Sequence, residues 1–197
     1  MKEHGIRFSL FLPIKKPGDY YVRAVVKDSV SGKVGSSYQA VQIPDVKKRS
    51  LTLSDIFVIN SEESVAWLKS GIAEDISQKQ IEPVLKRDAS RSPALREYAP
   101  GDSFEYAAMV YNAKRDQLPG LEQQIILYKD GAEFTRTEAK PITSGDGADG
   151  NRIFIREKLF LNDAYQEGDY VLQLLVRDKR AKNSITAGTL SFRVAPK

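Results

Sequence analysis

Gly18-Asp19-Tyr20-Tyr21-Val22-Arg23-Ala24-Val25-Val26-Lys27-Asp28 returns 150 positions later as Gly168-Asp169-Tyr170-Val171-Leu172-Gln173-Leu174-Leu175-Val176-Arg177-Asp178. The opening Gly-Asp-Tyr, one Val and the closing Asp are identical, and a basic residue precedes that Asp both times. The echo reaches upstream, where Leu10-Phe11-Leu12 matches Leu159-Phe160-Leu161, and downstream, where Val41 and Ile43 match Phe192 and Val194. Across that span the offset drifts only between 149 and 151, so a unit of three strands is repeated rather than one short motif. Within each copy one apolar set alternates with a more polar one: Tyr20, Val22, Ala24 and Val26 in the first, Tyr170, Leu172, Leu174 and Val176 in the second. A period of two marks a half-buried strand.

The Gly-Asp pair ahead of each strand supplies a turn, and the Tyr at the strand's start can bury its ring while its hydroxyl reaches back to upstream backbone. That is the tyrosine corner of immunoglobulin-like sandwiches. Counting strands outward gives an asymmetry. Upstream of Lys47 there is room for three: Ile6–Pro13, Tyr20–Asp28 and Gly35–Ile43. Downstream there are seven: Leu51–Asn60, Phe104–Val110, Leu121–Tyr128, Glu133–Glu138, Ile153–Leu161, Tyr170–Asp178 and Ile185–Val194. Asp130-Gly131 is a tight hairpin turn by composition. The apolar parity of the first strand switches between Leu53 and Ile56, as in a strand that bulges or changes sheet.

The expected fold is therefore all-β, an immunoglobulin-like or fibronectin type III-like β-sandwich. Residues 1–46 would be the last three strands of a truncated unit, and 47–197 a complete sandwich with an insertion at about 61–99. The larger part should bury about 70% of its unfolded surface, whereas three strands enclose no core of their own. They need the second unit, another chain or residues outside this sequence. Met1 reads as an artificial start, with no apolar stretch after it to make a signal peptide, and the chain as an excised C-terminal fragment. The link from Pro44 to Ser50 is short and begins with proline, so it should restrict the two units more than a Gly/Ser tether.

Inside the insertion, Asn60 with Glu63 resembles a helix start, and Val65, Ala66, Leu68 and Ile72 recur at helical spacing around the single Trp67. Lys86 to Pro100 is rich in Arg, Ser and Pro and reads as irregular. Long sandwich loops carry binding residues, but a lone Trp beside apolar helical neighbours packs more often than it binds. The run Ser144-Gly145-Asp146-Gly147-Ala148-Asp149-Gly150-Asn151 offers oxygens at alternate positions, making Asp146, Asp149 and Asn151 calcium candidates. It lacks the closing bidentate Glu of an EF-hand, and a flexible polar connection is the ordinary reading.

The 197 residues carry no cysteine and one histidine, His4, and have a net charge of +4. Disulfides, zinc–thiolate sites and cysteine nucleophiles therefore lack parts, and a Ser-His-Asp triad has only a histidine at the ragged N-terminus. There is no Gly-x-Ser-x-Gly elbow and no phosphate-binding glycine loop. Asp102 and Glu105 read as turn and solvent-face residues rather than a glycosidase pair. The basic cluster Lys47-Lys48-Arg49 sits in the linker, with no stripe of interleaved aromatics for nucleic acid. No apolar run approaches the ~20 residues of a membrane span. No catalytic residue and no cofactor are expected. Trp67, Tyr98 and Tyr128 are the candidate binding surface, with Tyr111 and Tyr165 as further aromatics.

Several phrases in order carry a resemblance. They are Phe11-Leu12-Pro13-Ile14-Lys15-Lys16-Pro17-Gly18-Asp19-Tyr20, Val34-Gly35-Ser36-Ser37-Tyr38-Gln39, Ile43-Pro44-Asp45-Val46-Lys47-Lys48, Tyr98-Ala99-Pro100-Gly101, Val110-Tyr111-Asn112-Ala113-Lys114, Leu127-Tyr128-Lys129-Asp130-Gly131 and Gly168-Asp169-Tyr170-Val171-Leu172-Gln173. Together they resemble the C-terminal region of bacterial von Willebrand factor A-related proteins, over most of the chain except Ser61–Ser92. The resemblance implies export, with an N-terminal von Willebrand factor A-type domain ahead of β-rich regions. The family's adhesion metal motif, Asp-x-Ser-x-Ser, belongs to that N-terminal domain, so no metal residue is carried over to this chain. The expected role is a non-catalytic structural or protein-interaction module, exported to the periplasm, cell surface or medium as part of a larger protein. Its expected partners are other protein domains, including its own N-terminal region, or a second copy through open strand edges, with no nucleic acid and no membrane insertion. The alternative is a carbohydrate-binding module using exposed aromatics.

Overall fold

The structure is a computed structural model and describes residues 12–48, 50–59, 96–113, 120–142, 152–182 and 184–195. Strands β1 (Gly18–Lys27) and β2 (Val34–Ile43) pair antiparallel as a two-stranded sheet, in register from Gly18↔Ile43 to Lys27↔Val34. Of the strand expected over Ile6–Pro13, only Leu12 and Pro13 are described, and neither is in a strand. The helix expected after Asn60, with Trp67, lies outside the described residues.

The later strands form two sheets. One runs β10 (Arg152–Phe160), β6 (Ser103–Tyr111) and β3 (Thr52–Leu53), with β4 (Phe57–Ile59) also paired to β6. The other runs β5 (Glu97–Tyr98), β12 (Ser184–Val194), β11 (Gly168–Asp178), β7 (Leu121–Lys129) and β8 (Ala132–Arg136), with β9 (Lys140–Pro141) on β7. Because the chain alternates sheets between β6, β7, β10 and β11, the apolar sets of both sheets face one another. Tyr106, Val110, Leu121, Leu172, Leu174 and Leu190 are at most 1% exposed in the resulting core. This is an immunoglobulin-like β-sandwich, and each of the seven strands expected downstream of Lys47 has its counterpart.

The parity switch in the first of these strands is a bulge. From Leu53↔Val110 to Phe57↔Ala107 the first strand advances four residues while β6 gives up three, so one extra residue is accommodated. Ser54 closes the gap in the ladder: its N–H donates to the Met109 carbonyl, and its Oγ accepts the Met109 N–H, both at 2.9 Å. Leu53 and Ile56 thereby both reach the core. The sheet change is made later, by β5, which pairs parallel with β12 through Glu97↔Arg193 and Tyr98↔Val194. Part of the stretch expected to be irregular is thus strand.

The turn between β7 and β8 is Asp130-Gly131, with φ of 48° and 85°, the two positive angles of a type I′ hairpin. Strand β6 is apolar on both faces. Besides Tyr106, Ala108 and Val110 in the core, Ala107 and Met109 are buried on the reverse side with Ile59 and Phe154.

Candidate interaction surface

The two halves of the sequence repeat fold to the same local geometry. Gly18 and Gly168 both open their strands at positive φ, 147° and 153°, a region only glycine enters readily. Tyr20 donates its hydroxyl to the Lys16 carbonyl and Tyr170 to the Gln166 carbonyl, each at 2.9 Å and four residues back. Both are tyrosine corners. Asp19 accepts from Gln42 Nε2 at 3.1 Å, while Asp169 faces Arg193 at 3.8 Å in the equivalent cross-strand position. At the far end Asp28 accepts the Val30 N–H at 2.8 Å, and Asp178 accepts the Arg180 and Ala181 N–H groups at 2.9 and 3.1 Å. The Ser31 hydroxyl, with the backbone amides of Val30 and Ser31, holds the Asp28 carboxyl below its ordinary pKa. Tyr20↔Val41 and Tyr170↔Phe192 are matched register pairs, and the second hairpin is one residue longer at its turn.

What differs is what lies against each hairpin. β11 is flanked by β12 and β7, and Leu172, Leu174 and Val176 are fully buried. β1 has β2 alone as a strand partner among the described residues. Val26, the counterpart of Val176, is 62% exposed. On the opposite face Tyr21 and Tyr38 are 77% and 74% exposed. They are diagonal neighbours across the ladder, since Tyr21 faces Ala40 and Arg23 faces Tyr38, within reach of each other as aromatic side chains. The hairpin is the most solvent-exposed apolar region among the described residues.

The linker is fastened at its other end. Asn112, at φ 62°, donates its Nδ2 to the carbonyls of both Val46 (2.9 Å) and Ser50 (3.0 Å). Between the sandwich sheets, Glu157 on β10 accepts from Gln123 Nε2 on β7 at 2.8 Å and pairs with Lys140 on β9 at 2.7 Å. That bridge spans the two sheets beside Tyr106, whose buried hydroxyl, like the Gln123 Oε1, has no hydrogen-bond partner among the described residues.

Of the residues singled out from sequence, Tyr98 stacks on Phe104 at 4.5 Å and meets Phe192 edge-on at 6.3 Å. Burial, opposed by nearby Arg96, pushes its hydroxyl pKa up to about 12. Tyr165 packs between Phe134 and Tyr170, inside the same aromatic row. Tyr128 is half-buried on the outer face of its sheet, its hydroxyl 3.3 Å from Gln173 Oε1. Tyr98 and Tyr128 sit three strands apart in the sheet order and do not share a surface. Trp67, Asp146, Asp149 and Asn151 lie outside the described residues. Among the described residues no group of three or more Asp, Glu, His or Cys is placed to hold a metal ion, and no helix is long and apolar enough to cross a membrane. Tyr21 and Tyr38 were not among the sequence candidates. The signal that could have found them is the repeat itself, because their counterparts in the second copy are Val171 and Thr189.

No protein-family model matches the chain, and no curated protein matches it. Among solved structures, it is similar to the CARDB domain of a Pyrococcus furiosus protein in complex with di-metal ions. That likeness has 14% identity and a TM-score of 0.31, and covers 52% of this chain and 86% of that one. It is also similar to the PmoD soluble domain from Methylocystis sp. ATCC 49242, at 9% identity and a TM-score of 0.31, covering 73% of this chain and 90% of that one. Neither likeness assigns a site.

Proposed function

We propose that the chain is a non-catalytic interaction and spacing module of an exported bacterial von Willebrand factor A-related protein. In this reading 1–46 closes one sandwich unit and 47–197 is the next. The observation that carries it is the hairpin β1–β2, which repeats the geometry of β11–β12 while leaving apolar residues on both faces to solvent. Surfaces of this kind mark contact sites. The phrases quoted above supply the family context and the export. The linker clasp at Asn112 supports the spacing role, because it limits how freely one unit moves against the other. The folded chain is expected to turn over nothing in a panel of glycosides, esters, peptides and phosphoesters, and the native protein to fractionate outside the cytoplasm. Turnover that co-purifies with monodisperse chain, or a cytoplasmic native protein, overturns the reading.

A carbohydrate-binding role is the second reading, and one observation favours it: the exposed diagonal pair Tyr21 and Tyr38, with Arg23 directly opposite Tyr38. Affinity electrophoresis in soluble polysaccharides tests it. Retardation lost in the Tyr21→Ala/Tyr38→Ala double variant supports it, and unchanged mobility in every polysaccharide removes it.

A further inference from the structure

We infer that the edge of β1 turned away from β2, which no described strand pairs with, is a receptor for an antiparallel β-strand carrying apolar side chains at alternate positions. This rests on the interaction-module reading above and names the chemistry of its partner. The phase of the edge is fixed by one hydrogen bond: the Asp28 N–H donates to the Lys33 carbonyl of the β2 side at 2.9 Å. Backbone groups of even-numbered residues in β1 therefore point to β2, and those of Asp19, Tyr21, Arg23, Val25 and Lys27 point away from it. Among the described residues no strand takes them.

The second copy shows what fits there. In β11 the odd-numbered residues are the ones bonded to the β7 side, as the Asp130 N–H to Asp169 carbonyl (3.0 Å) and Lys179 N–H to Gly120 carbonyl (2.9 Å) bonds establish. The 150-residue offset preserves parity, so β1 presents the same row of donors and acceptors that β11 uses to hold β7. β7 brings Leu121, Ile125 and Leu127 to the core side, opposite Asp178, Leu174 and Leu172. A strand docked in the same register on β1 would set its alternate side chains beside Val22, Ala24 and Val26. Ala24 stands where the second copy has Leu174, so the partner has room for a larger apolar side chain at that step. Strand addition draws affinity from the main chain and selectivity from every second side chain.

The probe is a synthetic peptide with the sequence of residues 119–131, added to the full chain while amide hydrogen exchange is followed by NMR. A peptide at ten times its Kd slows exchange of the amides it covers ~tenfold, and the expected slowing falls on Tyr21, Arg23 and Val25. A control peptide with its apolar positions moved by one residue should give none, because a one-residue slip turns the apolar set to the other face. The Val22→Asp variant should lose the peptide effect while the sandwich's urea midpoint stays in place. Four outcomes overturn the inference: no slowing at 1 mM peptide, equal slowing with both peptides, protection that appears without peptide as chain concentration rises, and concentration-independent protection of the free chain. The third assigns the edge to a second copy and the fourth to the chain's own residues. None of these touches the non-catalytic reading, which stands or falls on turnover.

Discussion

At Tyr170 a single hydroxyl ties the start of a core strand to the backbone four residues before it. The ring lies in a row of aromatic contacts, stacked on Phe192 at 5.3 Å and close to Tyr165 at 5.6 Å. Tyr170→Phe keeps that packing and loses one hydrogen bond, so urea unfolding followed by near-UV circular dichroism should show a loss of about 1 kcal/mol. Tyr170→Ala also opens a cavity and should cost about 3–5 kcal/mol. The same change at Tyr20 removes an equivalent bond from a hairpin that, among the described residues, has no strand pairing to the sandwich. Tyr20→Phe should therefore leave the sandwich transition where it is, and a matching loss there would show the two copies to be one cooperative unit. Tyr106 is the opposite case. Its hydroxyl is buried without a partner among the described residues, and such a group costs about 1–3 kcal/mol when left unsatisfied. Tyr106→Phe is expected to leave stability unchanged or raise it by about 1 kcal/mol. A loss of similar size in the same assay would mean that the hydroxyl is satisfied, by water or otherwise.

Strands with a clean period of two are legible in the sequence, and so are the turns that name their own residues. Tyr20–Asp28, Tyr170–Asp178 and Ile185–Val194 each alternate over enough residues to fix their faces, and Asp130-Gly131 admits one tight turn. β5 and β9 were not legible, because two residues cannot display a period and their pairing is decided by the partner strand. The reverse side of β6 was also missed. Phe104-Glu105-Tyr106 sets the alternation, but Ala107 and Met109 break it, and a strand buried on both faces reads as a continuous apolar run. Of the candidate surface, the repeat marked the hairpin as a strand pair, but exposure depends on what packs against it, which no residue within it records. The linker element carries its own test. Asn112→Gly keeps a residue that tolerates the positive φ and removes both bonds to Val46 and Ser50. Losing about 1.4 kcal/mol of local hydrogen bonding opens the segment ~tenfold more often. Tryptic cleavage after Lys47 or Lys48 should accelerate by up to about that factor, with the sandwich midpoint nearly unmoved. An unchanged cleavage rate would show that the clasp does not hold the linker.

On the scale of the whole molecule, aromatic hydroxyls buried at one end of the sandwich give stability a definite pH limit. Tyr98, Tyr106, Tyr165 and Tyr170 all have pKa values raised by burial, Tyr98 from 10.0 to about 12. Glu157 adds to the effect at Tyr106 and Asp130 at Tyr170. A raised tyrosine pKa means that folding favours the neutral phenol. The unfolded chain sheds those protons first as pH rises. The stabilisation is complete below the unfolded value near pH 10 and is lost as pH climbs through the folded value, near 12 for Tyr98. The urea midpoint should hence be insensitive to tyrosine ionisation below pH 10 and fall steadily from there to pH 12. Absorbance of tyrosinate at alkaline pH reads the same event from the other side. Part of the signal of the nine tyrosines should appear in a late, cooperative step that coincides with loss of near-UV dichroism, because the buried phenols ionise by unfolding. Tyr98→Phe removes the group whose raised value is largest within the measurable range. It should shrink the late step and flatten the decline between pH 10 and 12, and any stability it forfeits through the lost hydroxyl should be independent of pH. If all nine tyrosines titrate smoothly while the dichroism persists, the aromatic row is open to water and is not the sealed end of the core.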